Sequence, residues 1–176
     1  EEEHGTDKNI FVVGSHSASP GQLNIALFLQ ELCEAGVPFD EIVERVMDYR
    51  LKMKTYFVLE SLDTLRKNGR LTGLQAFFAT ALNIKPVMGA DEGVIIKLDQ
   101  ARGVNKALNR MCDIALKEAG DTSGKRLVIA HCNNPQRAEL VRRTMCERAQ
   151  FRDVVITETA GVATVYANDG GIIIAL

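Results

Sequence analysis

Short apolar runs of about one strand's length recur along this chain, at residues 9–13, 55–59, 83–88, 94–98, 126–130 and 153–157, with helical or turn-forming segments between them. That alternation constrains the fold more than any other feature. A continuous apolar run bounded by Gly, Asn, Asp or Pro reads as a strand covered on both faces, and covering both faces takes helices. The expected fold class is therefore α/β. The run Asn9-Ile10-Phe11-Val12-Val13 ends at Gly14 and reads as a buried parallel strand, which needs neighbours on both sides. A turn of small residues follows, then a helix over 22–35, where Leu23, Ala26, Leu27, Gln30 and Cys33 fall at helical spacing and Gly36 supplies the stop. A second helix is expected over 40–51, capped by Asp40 and striped by Ile42, Val43, Val46 and Met47, ahead of the strand at 55–59.

Beyond residue 61 the order changes. Ser61 can cap a short helix over 62–67 that stops at Asn68-Gly69, and 74–82 reads as a buried helix. The runs at 83–88 and 94–98 flank Gly89-Ala90-Asp91-Glu92-Gly93 as a β-hairpin, with Pro86 placing the first strand at an edge or at its own end. Residues 104–119 form an amphipathic helix, 126–130 a strand, Asn134-Pro135 opens a helix to about residue 149, and 153–157 is again a strand. The expected organisation is residues 1–61 as the C-terminal part of a first, parallel-sheet α/β domain. Residues 62–176 then form a second α+β domain with a mixed or antiparallel sheet and flanking helices.

The charge balance of 21 Lys+Arg against 23 Asp+Glu, a net −2, gives no electrostatic reason to expect nucleic acid or an anionic membrane as partner, and the absence of Trp argues against a base-stacking surface. Cys33, Cys112, Cys132 and Cys146 are far apart and match no metal-ligand spacing, so they read as reduced, mostly buried thiols. No apolar stretch is long enough to span a bilayer. The expectation is a cytoplasmic protein with no stable membrane insertion, no metal and no cofactor.

Chemistry concentrates at the first turn, Gly14-Ser15-His16-Ser17-Ala18-Ser19-Pro20-Gly21. A strand passing through small residues into a helix start offers backbone N–H groups and the positive end of the helix dipole to an anion, and the serines add hydroxyls suited to a carboxylate or phosphate. The same residues fit a purely structural reading, because Ser19-Pro20-Gly21-Gln22 is also a capping box with Pro at the first helical position. A serine nucleophile with His16 as base would need an orienting carboxylate and an oxyanion site, and no G-x-S-x-G elbow is present. His131 reads as a satisfied polar group at a strand end. Gly120 to Lys125 has neither the length nor the strand-to-helix setting of a phosphate-binding loop. Arg70, after Asn68-Gly69, reads locally as a surface charge, although its rigid fork suits a carboxylate if it faces a cleft.

Several segments together resemble the DegV family of bacterial fatty-acid-binding proteins. Phe57-Val58-Leu59-Glu60-Ser61-Leu62-Asp63-Thr64-Leu65-Arg66-Lys67-Asn68-Gly69-Arg70-Leu71 is similar to that family's strand, Leu-x-x-Leu helix and Gly-Gly-Arg-Ile segment. Leu82-Asn83-Ile84-Lys85-Pro86-Val87, Asp91-Glu92-Gly93 and Gln100-Ala101-Arg102-Gly103 follow its order, and Ser15-x-x-x-Ser19 with Gly21 falls on its Asp-Ser-x-x-x-Ser turn. The resemblance implies two domains with an apolar tunnel between them. It further implies one long-chain fatty acid held there with its carboxylate near Ser19 and Arg70 and presented, as in some family members, to a separate ATP-dependent fatty acid kinase subunit. It implies a non-catalytic lipid-binding role, with Ser15 and Asn168 as further ligand-binding positions. Alternatives from other classes are a hydrolase using Ser15 or Ser19 with His16, and a protein-interaction module built from residues 61–176.

The sequence departs from the family pattern in places. Gly14 stands for the usual Asp before Ser15, Asn68 for the first Gly before Arg70, and Asn168 for a His; an amide there donates hydrogen bonds but carries no charge. The family's Thr-Ser-Gln-Pro-Ser head-group loop has no counterpart before Asn9. The chain is therefore expected to be a fragment, with exposed strand edges that favour self-association.

Overall fold

The computed structural model describes residues 9–71 and 83–176. Its strands are β1 Thr55–Val58, β2 Ile84–Asp91, β3 Val94–Arg102, β4 Arg126–His131, β5 Asp153–Glu158 and β6 Ile172–Ala175. They form one six-stranded sheet in the order β3-β2-β1-β6-β4-β5, in which β4 and β5 run parallel and the other neighbouring pairs antiparallel. The helices are α1 Pro20–Glu34, α2 Phe39–Lys52, α3 Asp63–Lys67, α4 Val104–Ala119, α5 Pro135–Cys146 and α6 Gly161–Ala167. Strand β1, which a boundary near Ser61 assigns to the first block, is hydrogen-bonded to β2 and β6 of the second.

Successive strand residues point to opposite faces, so β1 and β6 divide their apolar side chains between two cores. Tyr56, Val58, Ile172 and Ile174 pack with Leu127 and Ile129 against Leu108, Met111, Val141 and Met145 of α4 and α5. Phe57, Leu59 and Ile173 point the other way, toward Leu65, Leu71 and Ala167. On this second side α1 lies across β4 and β6, and it shares a smaller core of Ile25, Leu32 and Val46 with α2. Buried Asn24 joins that helix pair to the sheet. Its amide donates to the Arg126 carbonyl at 3.3 Å, and its oxygen accepts from the Tyr49 hydroxyl at 2.8 Å.

Local signals explain most element boundaries. The Asn134 side chain accepts the Arg137 N–H at 3.1 Å with Pro135 next in line, as a cap-plus-proline start requires. The hairpin turns on Glu92 (φ 47°) and Gly93 (φ 84°), two left-handed residues matched to the twist of the strands, which therefore run on to Asp91. Pro86 is tolerated because β1 pairs with β2 only as far as Met88, beyond which β2 meets β3 alone.

Some expectations are corrected. Residues 9–13 form no strand: Val12 is 85% exposed, and no described strand lies beside the segment to complete a ladder. Asp40 does not cap α2; it sits in the first turn, where its charge still complements the helix dipole, and Pro38 holds the cap position. Helix α5 ends at Cys146, short of residue 149. Cys112 and Cys132 are buried, but Cys33 and Cys146 are exposed. Strand β6 and helix α6 were not anticipated at all. The acidic start at residues 1–8 and the helix expected over 74–82 lie outside the described residues.

Candidate functional site: an open cavity at the first turn

On the Phe57 side of the sheet lies an open cavity of about 580 Å³, within the range of small-ligand sites. Thr55 and Phe57 of β1, Leu59 just after it and Ile173 of β6 form its floor. Val162, Ala163 and Tyr166 of α6 line one wall, Leu65 and Arg70 another, and Ala90, Gly93 and Ile95 of the hairpin a third. His16, Ser17, Ala18, Ser19 and Gln22 close the end where α1 begins. Phe57, Leu59, Leu65, Ile95, Val162 and Ile173 make much of the lining apolar, and His16, Ser17, Ser19, Gln22, Thr55, Tyr166 and Arg70 add polar groups to it. This arrangement suits an elongated apolar molecule with one polar head.

Ser19 does not do what a capping box asks of it. The residue occupies the N-cap position with Pro20 first in the helix, yet its side chain makes no cap hydrogen bond. A cap hydroxyl reaches the free amides of the first turn from extended backbone, and Ser19 sits instead at φ 50°, ψ −100°. A serine in such a strained conformation, with a hydroxyl that has no hydrogen-bond partner among the described residues, is a feature typical of ligand sites.

Arg70 is aimed by a local turn. The Arg70 N–H donates to the Leu65 carbonyl at 2.9 Å and the Gly69 N–H to the Arg66 carbonyl at 3.1 Å, the paired bonds of a Schellman helix end. That turn needs a left-handed residue only at Gly69 (φ 68°). Asn68, at φ −95°, has ordinary right-handed backbone, so its replacement of a glycine leaves the turn intact. Arg70 is exposed, and among the described residues it enters no ion pair.

The structure does not bring Ser15 or Asn168 to the cavity. The Ser15 hydroxyl donates to the Ser17 carbonyl at 2.9 Å and accepts the Ser17 N–H at 3.3 Å, fastening the turn internally. The Asn168 amide donates to the Ser61 and Tyr166 carbonyls at 3.3 and 3.2 Å, while its oxygen accepts from Thr64 at 3.2 Å. Both side chains are occupied in holding loops together. His16 does line the cavity, but among the described residues no hydrogen bond links it to a serine. Sequence reasoning missed Thr55, Phe57 and Leu59 as a lining set. Their spacing of two within one strand was the available signal.

Groups outside the cavity have structural partners. His131 is buried and accepts the Asn134 N–H at its Nδ1 at 3.3 Å, as a satisfied strand-end histidine should. Residues 120–125 form a connecting loop in which Asp121 accepts the Ser123 N–H. Burial pushes the Cys112 thiol up to about 12, which keeps it protonated and unreactive. Burial works against the charge of Glu60, yet hydrogen bonds from Lys85 and Arg137 outweigh it and hold the carboxyl below its usual range. Among the described residues no cluster of His, Cys, Asp or Glu could hold a metal ion, and no helix is long and apolar enough to cross a membrane.

This architecture recurs in known proteins. The family model described as "Uncharacterised protein, DegV family" matches residues 1–176. A DegV domain-containing protein of Streptococcus pyogenes serotype M1 is 33% identical over 174 residues, covering 97% of this chain and 61% of that protein. A solved DegV family structure from Ruminococcus gnavus, whose refinement includes vaccenic acid, is 49% identical with a TM-score of 0.94, over 99% of this chain and 62% of its own. The Streptococcus pneumoniae fatty acid kinase B3 protein loaded with linoleic acid is 34% identical with a TM-score of 0.81, over 96% of this chain and 60% of its own. The chain belongs to the DegV family, and it spans about three-fifths of the length of these relatives.

Proposed function

We propose that this chain builds one side of a long-chain fatty acid site, with the carboxylate at the Ser19–Arg70 end and the acyl chain running over Phe57, Leu59 and Ile173. The observation that carries the reading is that Ser19, whose hydroxyl makes no cap bond, and Arg70, which enters no ion pair among the described residues, line one cavity with Phe57, Leu59, Leu65, Val162 and Ile173. A carboxylate is the natural partner of a guanidinium fork beside a hydroxyl donor, and an alkyl chain is the natural occupant of the walls. The cavity is lined from both blocks expected from the sequence, residues 1–61 and 62–176, in keeping with a ligand held between them. Relatives that carry vaccenic or linoleic acid support the ligand class, and the kinase B3 relative supports presentation of the bound acid to a separate kinase subunit.

Native mass spectrometry of the natural-length protein, purified without added lipid, tests the reading. A co-purified long-chain fatty acid, or uptake of one when it is offered, is the expected result. Neither being seen overturns it.

A further inference from the structure

Among the described residues Thr55 is the one polar side chain in the cavity floor, 7% exposed and set among Phe57, Leu59 and Ile173. A hydroxyl buried in apolar surroundings is costly unless it is hydrogen-bonded. Its partner is Ser17, with the two hydroxyl oxygens 2.6 Å apart. Ser17 belongs to the turn two residues ahead of Ser19, so this bond ties the turn to the sheet 38 residues further along the chain.

The rest of the turn depends on that tie. Ser17 also donates to the Ala18 carbonyl at 3.4 Å, the same carbonyl that accepts the Gly21 N–H at 3.3 Å. Gly21 packs so closely over Ser17 that a Cβ there would stand 2.0 Å from the Ser17 oxygen. The segment held by these contacts contains Ser19 in its strained conformation, and strain of this kind persists only where the surroundings over-determine it. We infer that Thr55 is a positioning residue: through Ser17 it fixes the first turn so that the Ser19 hydroxyl faces the carboxylate instead of relaxing into a cap.

This inference rests on the proposed fatty acid site, and its test separates the two. Binding of a long-chain fatty acid and of its methyl ester is measured for the natural-length protein and its variants. The ester keeps the alkyl chain and lacks the charge, so a change in the acid-to-ester preference reports on the head-group end alone. Thr55→Val, which keeps the shape and removes the hydroxyl, is expected to lower that preference about tenfold, the worth of one hydrogen bond to a charged group. Thr55→Ser is expected to restore it. Ser17→Ala removes the same bond without altering the sheet and should reproduce the loss, which keeps the test decisive if Thr55→Val folds poorly. The double variant should lose no more than either single one.

Equal losses for acid and ester, or an unchanged preference in Ser17→Ala, overturn the positioning role. If Ser19→Ala lowers the preference while Thr55→Val and Ser17→Ala do not, the fatty acid site stands and the inference about Thr55 falls. If Ser19→Ala has no effect either, the head-group reading itself fails and the inference falls with it.

Discussion

The two faces of the sheet are made by the same strands and serve opposite ends. Toward α4 and α5, Val58, Ile172 and Ile174 are fully buried among Leu108, Met111 and Met145, and the space is filled. Toward the first turn, Phe57, Leu59 and Ile173 are nearly buried yet border an open cavity that Ser19 and Arg70 also line. The alternation of the strand allows this division, since each residue on one face has neighbours committed to the other. A filled face supplies stability, and an open face leaves apolar surface for something else to cover.

Adjacent residues of β6 give the sharpest test of that contrast. Ile174→Ala empties a filled site and is expected to cost about 4 kcal/mol, toward the upper part of the range for buried Ile→Ala changes. Ile173→Ala only enlarges a cavity already present and loses mainly the transfer contribution, about 2 kcal/mol. Urea unfolding of both variants checks the difference, and equal costs would mean that the two faces are packed alike.

A smaller effect is expected where the open face is braced. A Cβ on Gly171 would lie 2.4 Å from the Ala167 carbonyl oxygen and 3.0 Å from the Leu59 side chain, so α6 cannot approach the sheet as it does if that residue carries a side chain. Gly171→Ala should cost about 2 kcal/mol through overpacking against backbone, and it should widen the cavity wall. A melting temperature unchanged from the parent would show that α6 is not pinned there.

Ser19 should separate stability from binding. An N-cap serine normally costs about 1 kcal/mol when changed to alanine, but here the hydroxyl makes no cap bond. Ser19→Ala is therefore expected to change stability by less than about 0.3 kcal/mol, well below that normal cap cost, while weakening fatty acid uptake. Ser19→Gly should gain about 1 kcal/mol, because glycine accepts positive φ without strain. Paired unfolding and uptake measurements check both variants, and a full capping penalty in Ser19→Ala would return the residue to an ordinary structural role.

What the sequence disclosed about these two faces follows from where the deciding forces act. Helix α4, the Asn134-Pro135 start and the Gly93 hairpin were legible because periodicity, a cap and a left-handed turn act within a few residues. Strand β6 was missed although Ile172-Ile173-Ile174-Ala175 has the same apolar character as the other strands, since its place between β1 and β4 comes from long-range pairing. The opposite error at residues 9–13 has the same root: an apolar run becomes a strand only where a neighbour offers a ladder. At the site, Ser19 and Arg70 emerged from the family resemblance and meet in one cavity, whereas Ser15 and Asn168 matched positions but are occupied elsewhere. The strand's alternation marks Thr55 as sharing a face with Phe57, but nothing local marks its partner. Its hydrogen bond is to Ser17, in a turn that precedes it by 38 residues.

A pH-dependent effect is expected at the seam between the faces. Glu60, just after β1, pairs with Lys85 at 2.6 Å and with Arg137 at 2.5 Å, and Arg137 also donates to the Gly170 carbonyl at 2.8 Å. The start of α5, which covers the filled face, is thereby fastened to the loop beneath the open one. Burial disfavours the Glu60 charge, but its two cationic partners prevail and depress its pKa in the folded state. A carboxyl with a depressed folded pKa contributes stability that is present above its unfolded pKa, near 4.3, and is lost as pH falls through the folded value. Glu60→Gln should therefore be less stable than the parent at neutral pH, and the gap should close as the parent's carboxyl is protonated in acid. Urea midpoints measured for both proteins from neutral pH into acid, well below the carboxyl's unfolded pKa, decide the point. A gap that stays constant across the range would mean that Glu60 joins the two faces through its shape and hydrogen-bonding capacity, with its charge contributing nothing.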